Sequence, residues 1–193
     1  TLVACADYIL SQQKGKTVSN LSSTRALSDV TKKYGESCFA SAVGELNVVK
    51  EMKKVSAVIG GEGNGGVIYP KLHYGRDAMV GTALFLSLVT SKQKSVSEIR
   101  SSYPIYFMSK NKISANENIN LDSILDQLAK EYSNERISTV DGLKIDFAEM
   151  WVHLRKSNTE PVIRIYTEAT TKSEADKLSN KFISKINHLI EKI

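Results

Sequence analysis

The sequence predicts an α/β layered domain followed by a small α+β domain with helices on one face of an antiparallel sheet. Three observations predict it. Strand-like and helix-like runs alternate through the first half. The pattern breaks near residues 95–104, where "KQKSVSEIRSSYP" holds a short helical piece and Pro104 then biases Tyr103 away from helix. Beyond the break, several extended runs lie between and beside two amphipathic helices. The 193 residues suffice for one large or two small domains, and 41% hydrophobic content is enough to build cores. The expected organisation is a first domain over 1–95, a linker or hinge over 96–104 and a second domain over 105–193.

Taken in order, residues 2–10 are apolar on a helical period. "TVSNL" is a short strand candidate. "STRALSDVTKKYG" is a helix, with Ala26, Leu27, Val30 and Tyr34 on one face and Gly35 as its stop. "SCFASAV" alternates as a strand. "ELNVVKEMKK" is helical, with Leu46, Val49 and Met52 or Lys53 expected in register. "VSAVIGG" reads as a buried strand ending in glycines, and "DAMVGTALFLSLVTS" as a strongly apolar helix capped by Asp77. In the second half "IYFMSKNKI" is extended. "NLDSILDQLAKEY" is a helix capped by Asn120, with Leu121, Ile124, Leu125, Leu128 and Tyr132 on its apolar face. Asp141-Gly142 between "RISTV" and "LKIDF" signals a hairpin. "MWVHLR" and "VIRIYTEA" are two more strands. The closing helix shows Ala175, Leu178, Phe182, Ile186 and Leu189 on one face, with Thr171 and Glu174 in capping-box spacing.

Composition excludes several classes. The net charge of +5 is mild and spread along the chain, as on a solvated lysine-rich surface. No dense Arg/Lys tract is interleaved with aromatics, so no nucleic acid is expected as a partner. No apolar run reaches the roughly 18–20 residues of a membrane span, so no membrane is expected either. The start "TLVACADYIL" lacks the basic region of a signal peptide. It also begins without Met inside an apolar pattern, which suggests an excised piece. Cys5 and Cys38 read as buried free thiols of a reducing, cytoplasmic setting, and without His neighbours they make no zinc site.

Two motifs carry chemistry. "GGEGNGG" is the densest glycine cluster, and it lacks the Lys-Ser/Thr end of a Walker loop. Its acid, Glu62, would repel phosphate but accepts hydrogen bonds well. Glu62 and Asn64, carried on Gly63 and Gly65 in a backbone that permits close approach, suit the vicinal hydroxyls of a sugar; a flexible, solvent-facing turn is the alternative. "RKSNTEP" gathers donors. Arg155 can clamp phosphate oxygens in a fork, Ser157 and Thr159 offer hydroxyls, Asn158 an amide, and Lys156 a further cation. Successive N–H groups in such a turn can form an anion nest, against the alternative of a solvated polar turn. Arg164 either assists or is a solvent-side strand residue.

The two motifs in this order, with "VGELNVVKEM" before the first and "HYGRDAMVGTAL" after it, resemble the alpha-D-phosphohexomutase family over the whole chain. The resemblance implies the third and fourth of four domains, the fourth with a TATA-box-binding-protein-like arrangement. It implies that Glu62 and Asn64 read sugar hydroxyls and that Arg155, Ser157, Asn158 and Thr159 grip phosphate. Where many members carry a histidine after the "VG" of Val43-Gly44, this chain has Glu45; either it faces a polar substrate group or it caps the following helix. No catalytic residue is expected in this piece. Neither the phosphoserine loop nor the aspartate-rich Mg2+ loop is found, and the resemblance puts both in the missing N-terminal domains of the same enzyme. The implied activity is interconversion of a hexose or hexosamine 1-phosphate and 6-phosphate through a bisphosphate. A stand-alone, non-catalytic phosphosugar-binding module and, more weakly, a basic polyanion-binding domain are the rival readings.

Overall fold

The computed structural model describes residues 1–114, 120–157 and 162–191. It divides into two compact units, Thr1–Ile105 and Tyr106–Ile193.

The first unit is built on strands β1 (Thr17–Asn20), β2 (Cys38–Ser41), β3 (Ile59–Gly61) and β4 (Val67–Ile68), in the order β2-β1-β3-β4. β1 pairs in parallel with β2 and β3, and β4 turns back antiparallel to β3. All four residues of β1 are buried, as expected of the central strand of a covered sheet. Helix α3 (Glu45–Val55) covers one face through Val48 and Met52, which pack with Val18, Ala57 and Ile68. Helices α1 (Leu2–Gln12), α2 (Ala26–Lys33) and α4 (Ala78–Lys92) cover the other, where Leu2, Cys5, Ala6, Ile9 and Leu27 meet Ile59 and Val67. Burial pushes the Cys5 thiol up to about 11, so it stays protonated and inert.

Several local expectations shift. In α3, Leu46 is 84% exposed while Val48 is fully buried, so the packed face is Val48–Met52 and not the Leu46 register. Val55 ends that helix, Ser56 adopts a left-handed turn at φ 54°, and the strand begins only at Ile59. The apolar α4 buries only Gly81 and Leu88 fully and leaves Met79 and Leu86 exposed. Its Asp77 cap is as expected and accepts from the Val80 N–H at 3.0 Å. Residues 96–104 contain helix α5 (Val96–Ser101), closed by a Ser95–Glu98 capping box, and Ile99 is buried with Ala4 and Leu88.

A buried carboxylate joins the helices of this unit. Asp7 on α1 is fully buried; its carboxylate accepts from Tyr34 Oη at 2.7 Å, Lys92 Nζ at 2.6 Å and Tyr103 Oη at 2.9 Å. Burial pushes its pKa up, but the hydrogen bonds from Lys92, Tyr34 and Tyr103 outweigh burial and leave it below the ordinary value.

The second unit is a five-stranded antiparallel sheet of β5 (Phe107–Ser114), β6 (Arg136–Ser138), β7 (Leu143–Asp146), β8 (Trp151–Lys156) and β9 (Val162–Ala169), in the order β5-β9-β8-β7-β6. Gly142 turns the β6–β7 hairpin at φ 71°. Helices α6 (Leu121–Glu131) and α7 (Lys172–Ile190) share one core with Leu143, Ile145, Val152, Leu154, Ile163 and Ile165. These sheet residues alternate along their strands, so both helices lie on one face, and among the described residues the other face carries none. Asn120 caps α6 as expected, and Thr171 accepts from the Glu174 N–H at α7.

Replacing Asp7 by Ala should lower the stability of the first unit by about 3 kcal/mol, the scale of a broken buried ionic network with a partly exposed partner. The folded carboxyl titrates below the unfolded value of 3.8. Its contribution is therefore complete above that pH and is lost as pH falls through the folded value. Urea midpoints measured from pH 7 to 3 should fall on acidification, with a shallower fall in Asp7→Asn.

Candidate functional site

In the first unit, the route of the chain decides where polar groups meet. β1 leads through α2 to β2, and β2 leads back through α3 to β3 on the other side of β1. The two connections cover opposite faces of the sheet, so the carboxyl ends of neighbouring strands are left open at the reversal. The residues just beyond β1, β2 and β3 are Leu21–Thr24, Ala42–Gly44 and the glycine loop.

That loop is a tight hairpin turn between β3 and β4. The Glu62 N–H donates to the Gly66 carbonyl at 3.0 Å, and the Gly65 N–H to the Glu62 carbonyl at 3.1 Å. A Cβ on Gly61 would lie 2.0 Å from the Gly66 carbonyl oxygen, so the chains approach this closely only at glycine. Asn64 Oδ1 folds back to accept from the Gly66 N–H at 3.2 Å, which leaves its amide nitrogen outward from that bond. A recess of about 260 Å³ borders the turn, with Ser23, Thr24, Leu27, Glu62 and Asn64 among its walls.

Glu62 is only 5% exposed, and a buried carboxylate must be met by donors. Its Oε1 accepts from Asn20 Nδ2 at 3.0 Å and from the Gly44 N–H at 3.2 Å. Its Oε2 lies 3.3 Å from Arg76 Nη1. Asn20 is in turn fixed by Ser23, whose hydroxyl donates to Asn20 Oδ1 at 2.9 Å. Glu45, at the start of α3, does not stand free: the Arg76 N–H donates to its Oε1 at 2.8 Å and Arg76 Nε to its Oε2 at 2.9 Å. These backbone and side-chain bonds from Arg76 hold the Glu45 carboxyl below the usual glutamate value. Arg76 thus spans two carboxylates. Asn20 and Arg76 are absent from the residues singled out in the sequence, although Arg76 lies inside "HYGRDAMVGTAL". A basic side chain near an otherwise acidic loop was the available signal.

In the second unit, Arg155 and Arg164 stand directly opposite each other on β8 and β9, and Lys112 of β5 stands opposite Arg164. All three lie on the helix-free face. Arg155 Nη1 is 3.8 Å from Asp141 Oδ2. The buried His153 holds the same turn: its Nε2 lies 2.7 Å from the Asp141 carbonyl, which only accepts, so that nitrogen carries the proton. Burial lowers the His153 pKa and keeps the ring neutral. Lys156 is separated from this group. It sits opposite Ile163 on the helix side, and its Nζ pairs with Asp122 of α6 at 2.7 Å. The Ser157 N–H closes on the Val162 carbonyl at 2.9 Å. Asn158 and Thr159 lie outside the described residues.

A parallel-stranded α/β/α unit closing on a glycine hairpin, followed by an antiparallel unit with one open, arginine-bearing face, is the third-and-fourth-domain pairing of a phosphohexomutase. Family models bear this out. Residues 1–106 match the phosphoglucomutase/phosphomannomutase alpha/beta/alpha domain III, and residues 110–185 match the C-terminal domain of the same proteins. The chain belongs to the phosphoglucomutase/phosphomannomutase family. It is 33% identical over 180 residues to a phosphoglucomutase/phosphomannomutase of Thermococcus kodakarensis, covering 91% of this chain and 39% of that one. It is 31% identical over 168 residues to a phosphoglucosamine/phosphogalactosamine mutase of Sulfurisphaera tokodaii, covering 86% and 37%. A crystal structure of a family protein from Burkholderia thailandensis shares the fold, with a TM-score of 0.79 at 22% identity over 97% of this chain and 40% of that one. The chain thus spans about two fifths of the length of the curated relatives it matches.

Arg76→Met should return the Glu45 carboxyl toward its ordinary titration near 4.5. A carboxyl-carbon NMR titration reads this directly. An unchanged Glu45 curve would mean that the Glu45–Arg76 pair does not hold in solution.

Proposed function

We propose that this chain forms the sugar- and phosphate-recognising half of a phosphohexomutase, an enzyme that interconverts hexose or hexosamine 1-phosphate and 6-phosphate through a bisphosphate. The observation that carries the reading is the row Lys112–Arg164–Arg155 across three neighbouring strands. Like charges directly opposite one another weaken a sheet. An anionic ligand on that face turns the cost into binding energy, and Arg155 and Arg164 have the planar forks that suit phosphate oxygens. Ser157, directly after β8, adds a hydroxyl to the donor set, and the sequence offers Asn158 and Thr159 as further donors. In the first unit, Glu62 and Asn64 accept and donate to hydroxyls of the sugar.

The phosphoryl donor and the magnesium ion of the reaction belong, in this reading, to domains outside this chain. Among the described residues no three His, Cys, Asp or Glu side chains converge as a metal site. Mg2+ would neutralise charge on the transferring phosphoryl group; the residues of this chain bind, orient and desolvate the substrate. The chain's expected partners are a phosphosugar and the remaining domains of the same protein. No helix among the described residues is long and apolar enough to cross a membrane; the proposed reaction, on a phosphosugar, is placed in the cytoplasm.

Calorimetric titration should show glucose 6-phosphate or glucosamine 6-phosphate binding this chain more tightly than inorganic phosphate, with no turnover in a mutase assay. Arg155→Ala should weaken the phosphosugar by about 1.5–3 kcal/mol, the worth of a charge-assisted hydrogen bond. Binding unchanged in Arg155→Ala would sink the phosphate assignment, and turnover by this chain alone would sink the division of labour.

A further inference from the structure

We propose that Arg76 is a sugar-touching residue, which donates to the same hydroxyl that donates to Glu62, and that Glu45 acts as its positioning residue. The proposal rests on the phosphosugar reading above and adds a residue to it.

The argument is a count of lone pairs. A carboxylate offers about four acceptor sites, two on each oxygen. On Glu62, Oε1 is filled by Asn20 Nδ2 and the Gly44 N–H. Oε2 meets Arg76 Nη1 at 3.3 Å, an ion-pair contact that leaves acceptor capacity on that oxygen. A hydroxyl that reaches Glu62 must therefore arrive at Oε2, beside the guanidinium. Arg76 has five N–H donors in one plane. Its Nε is committed to Glu45 Oε2 at 2.9 Å, and its backbone N–H to Glu45 Oε1 at 2.8 Å. This double grip fixes both the main chain and the head of Arg76, while 44% of the side chain stays exposed. The outer N–H groups are then held where the oxygen of an arriving hydroxyl presents its lone pairs.

The pair is a matched acceptor and donor. A hydroxyl satisfies both members. A protonated amine donates to Glu62 but has no lone pair for Arg76, and a carbonyl satisfies Arg76 but leaves Glu62 unmet. The group read at this point is thus a hydroxyl, and Glu45, committed to Arg76, does not meet the substrate. Gly66 is consistent with the arrangement: a Cβ there would lie 2.4 Å from Arg76 Cδ and drive the guanidinium off its two carboxylates.

The test is a double-mutant cycle on this chain, read by glucose 6-phosphate and inorganic phosphate binding, with amide spectra to verify the fold of each variant. Arg76→Met should weaken glucose 6-phosphate about tenfold or more, the low end for a charge-assisted hydrogen bond, and leave inorganic phosphate unchanged. Arg76→Lys should recover only part of the loss, because an ammonium cannot span both carboxylates. Glu45→Gln should weaken the sugar phosphate when Arg76 is present and add nothing in the Arg76→Met background. Equal losses in both backgrounds would make Glu45 a direct contact and overturn the proposal, as would unchanged binding in Arg76→Met. If the parent chain binds no glucose 6-phosphate, the phosphosugar reading fails in this chain, and a ligand-free arm decides the positioning claim. The Arg76 Nε proton should exchange slowly in the parent and fast in Glu45→Gln; equal rates would overturn it.

Discussion

The first unit depends on how one buried carboxylate is satisfied. Glu62 sits at the end of β3 with almost no water around it, so its charge has to be met by protein donors or not be there. The donors come from the last residue of β1 (Asn20), from beyond β2 (the Gly44 N–H) and from beyond β4 (Arg76). One side chain therefore draws together loops that are far apart in the chain. The strand order makes this possible, because the reversal at β1 leaves the carboxyl ends of β1, β2 and β3 side by side and uncovered by their own helices.

The same unit holds a second buried carboxylate, and the two are satisfied differently. Asp7 is enclosed by the hydroxyls of Tyr34, just after α2, and Tyr103, after α5, and by Lys92 of α4. Both of its oxygens face side chains of the core, so it acts as a tie between helices. Glu62 has one saturated oxygen and one that faces a half-exposed guanidinium at the strand ends. Net charge and burial are alike in the two cases. What differs is the partners: Asp7 is met by side chains alone, and Glu62 by a side-chain amide, a backbone N–H and a half-exposed guanidinium.

In the second unit, the division of labour is by sheet face. The helix side is apolar except for a few satisfied groups, such as Thr167 donating to the Ala175 carbonyl and Asn111 to Ser179. The open side collects Lys110, Lys112, Lys144, Arg155 and Arg164. Lys110 lies over the Tyr166 ring and Lys144 over the Trp151 ring, which anchors those ammonium groups on aromatic faces. The Lys112–Arg164–Arg155 row crosses β5, β9 and β8 on the same face. Acids offset part of the like-charge pairing: Asp146 lies 3.7 Å from Lys144 and Asp141 lies 3.8 Å from Arg155.

Much of the architecture was legible in the sequence because it rests on local rules. Hydrophobic period placed α1, α2, α6 and α7, Asp77 and Asn120 were readable as caps, and Asp141-Gly142 marked its hairpin. Period alone could not choose among the faces of α3, since Leu46, Val48, Val49 and Met52 offer two apolar stripes; packing against Val18 and Ile68 selected Val48 and Met52. Period showed a short helical piece before Tyr103-Pro104, but not that this piece, residues 96–101, is capped and buried through Ile99. The motifs identified Glu62, Asn64 and Arg155 by residue type. Their partners came from elsewhere in the chain: Asn20 is 42 positions from Glu62 and Arg76 is 31 from Glu45. The sequence by itself determined the element types, the two-domain order and the chemistry offered by each loop, because those depend on neighbours in the chain. Only the tertiary structure decided that Glu45 is held by Arg76, that Lys156 faces away from Arg155, and that Glu62 is met by Asn20, Gly44 and Arg76. Those outcomes depend on strand order and pairing register, which bring together residues that no local pattern connects.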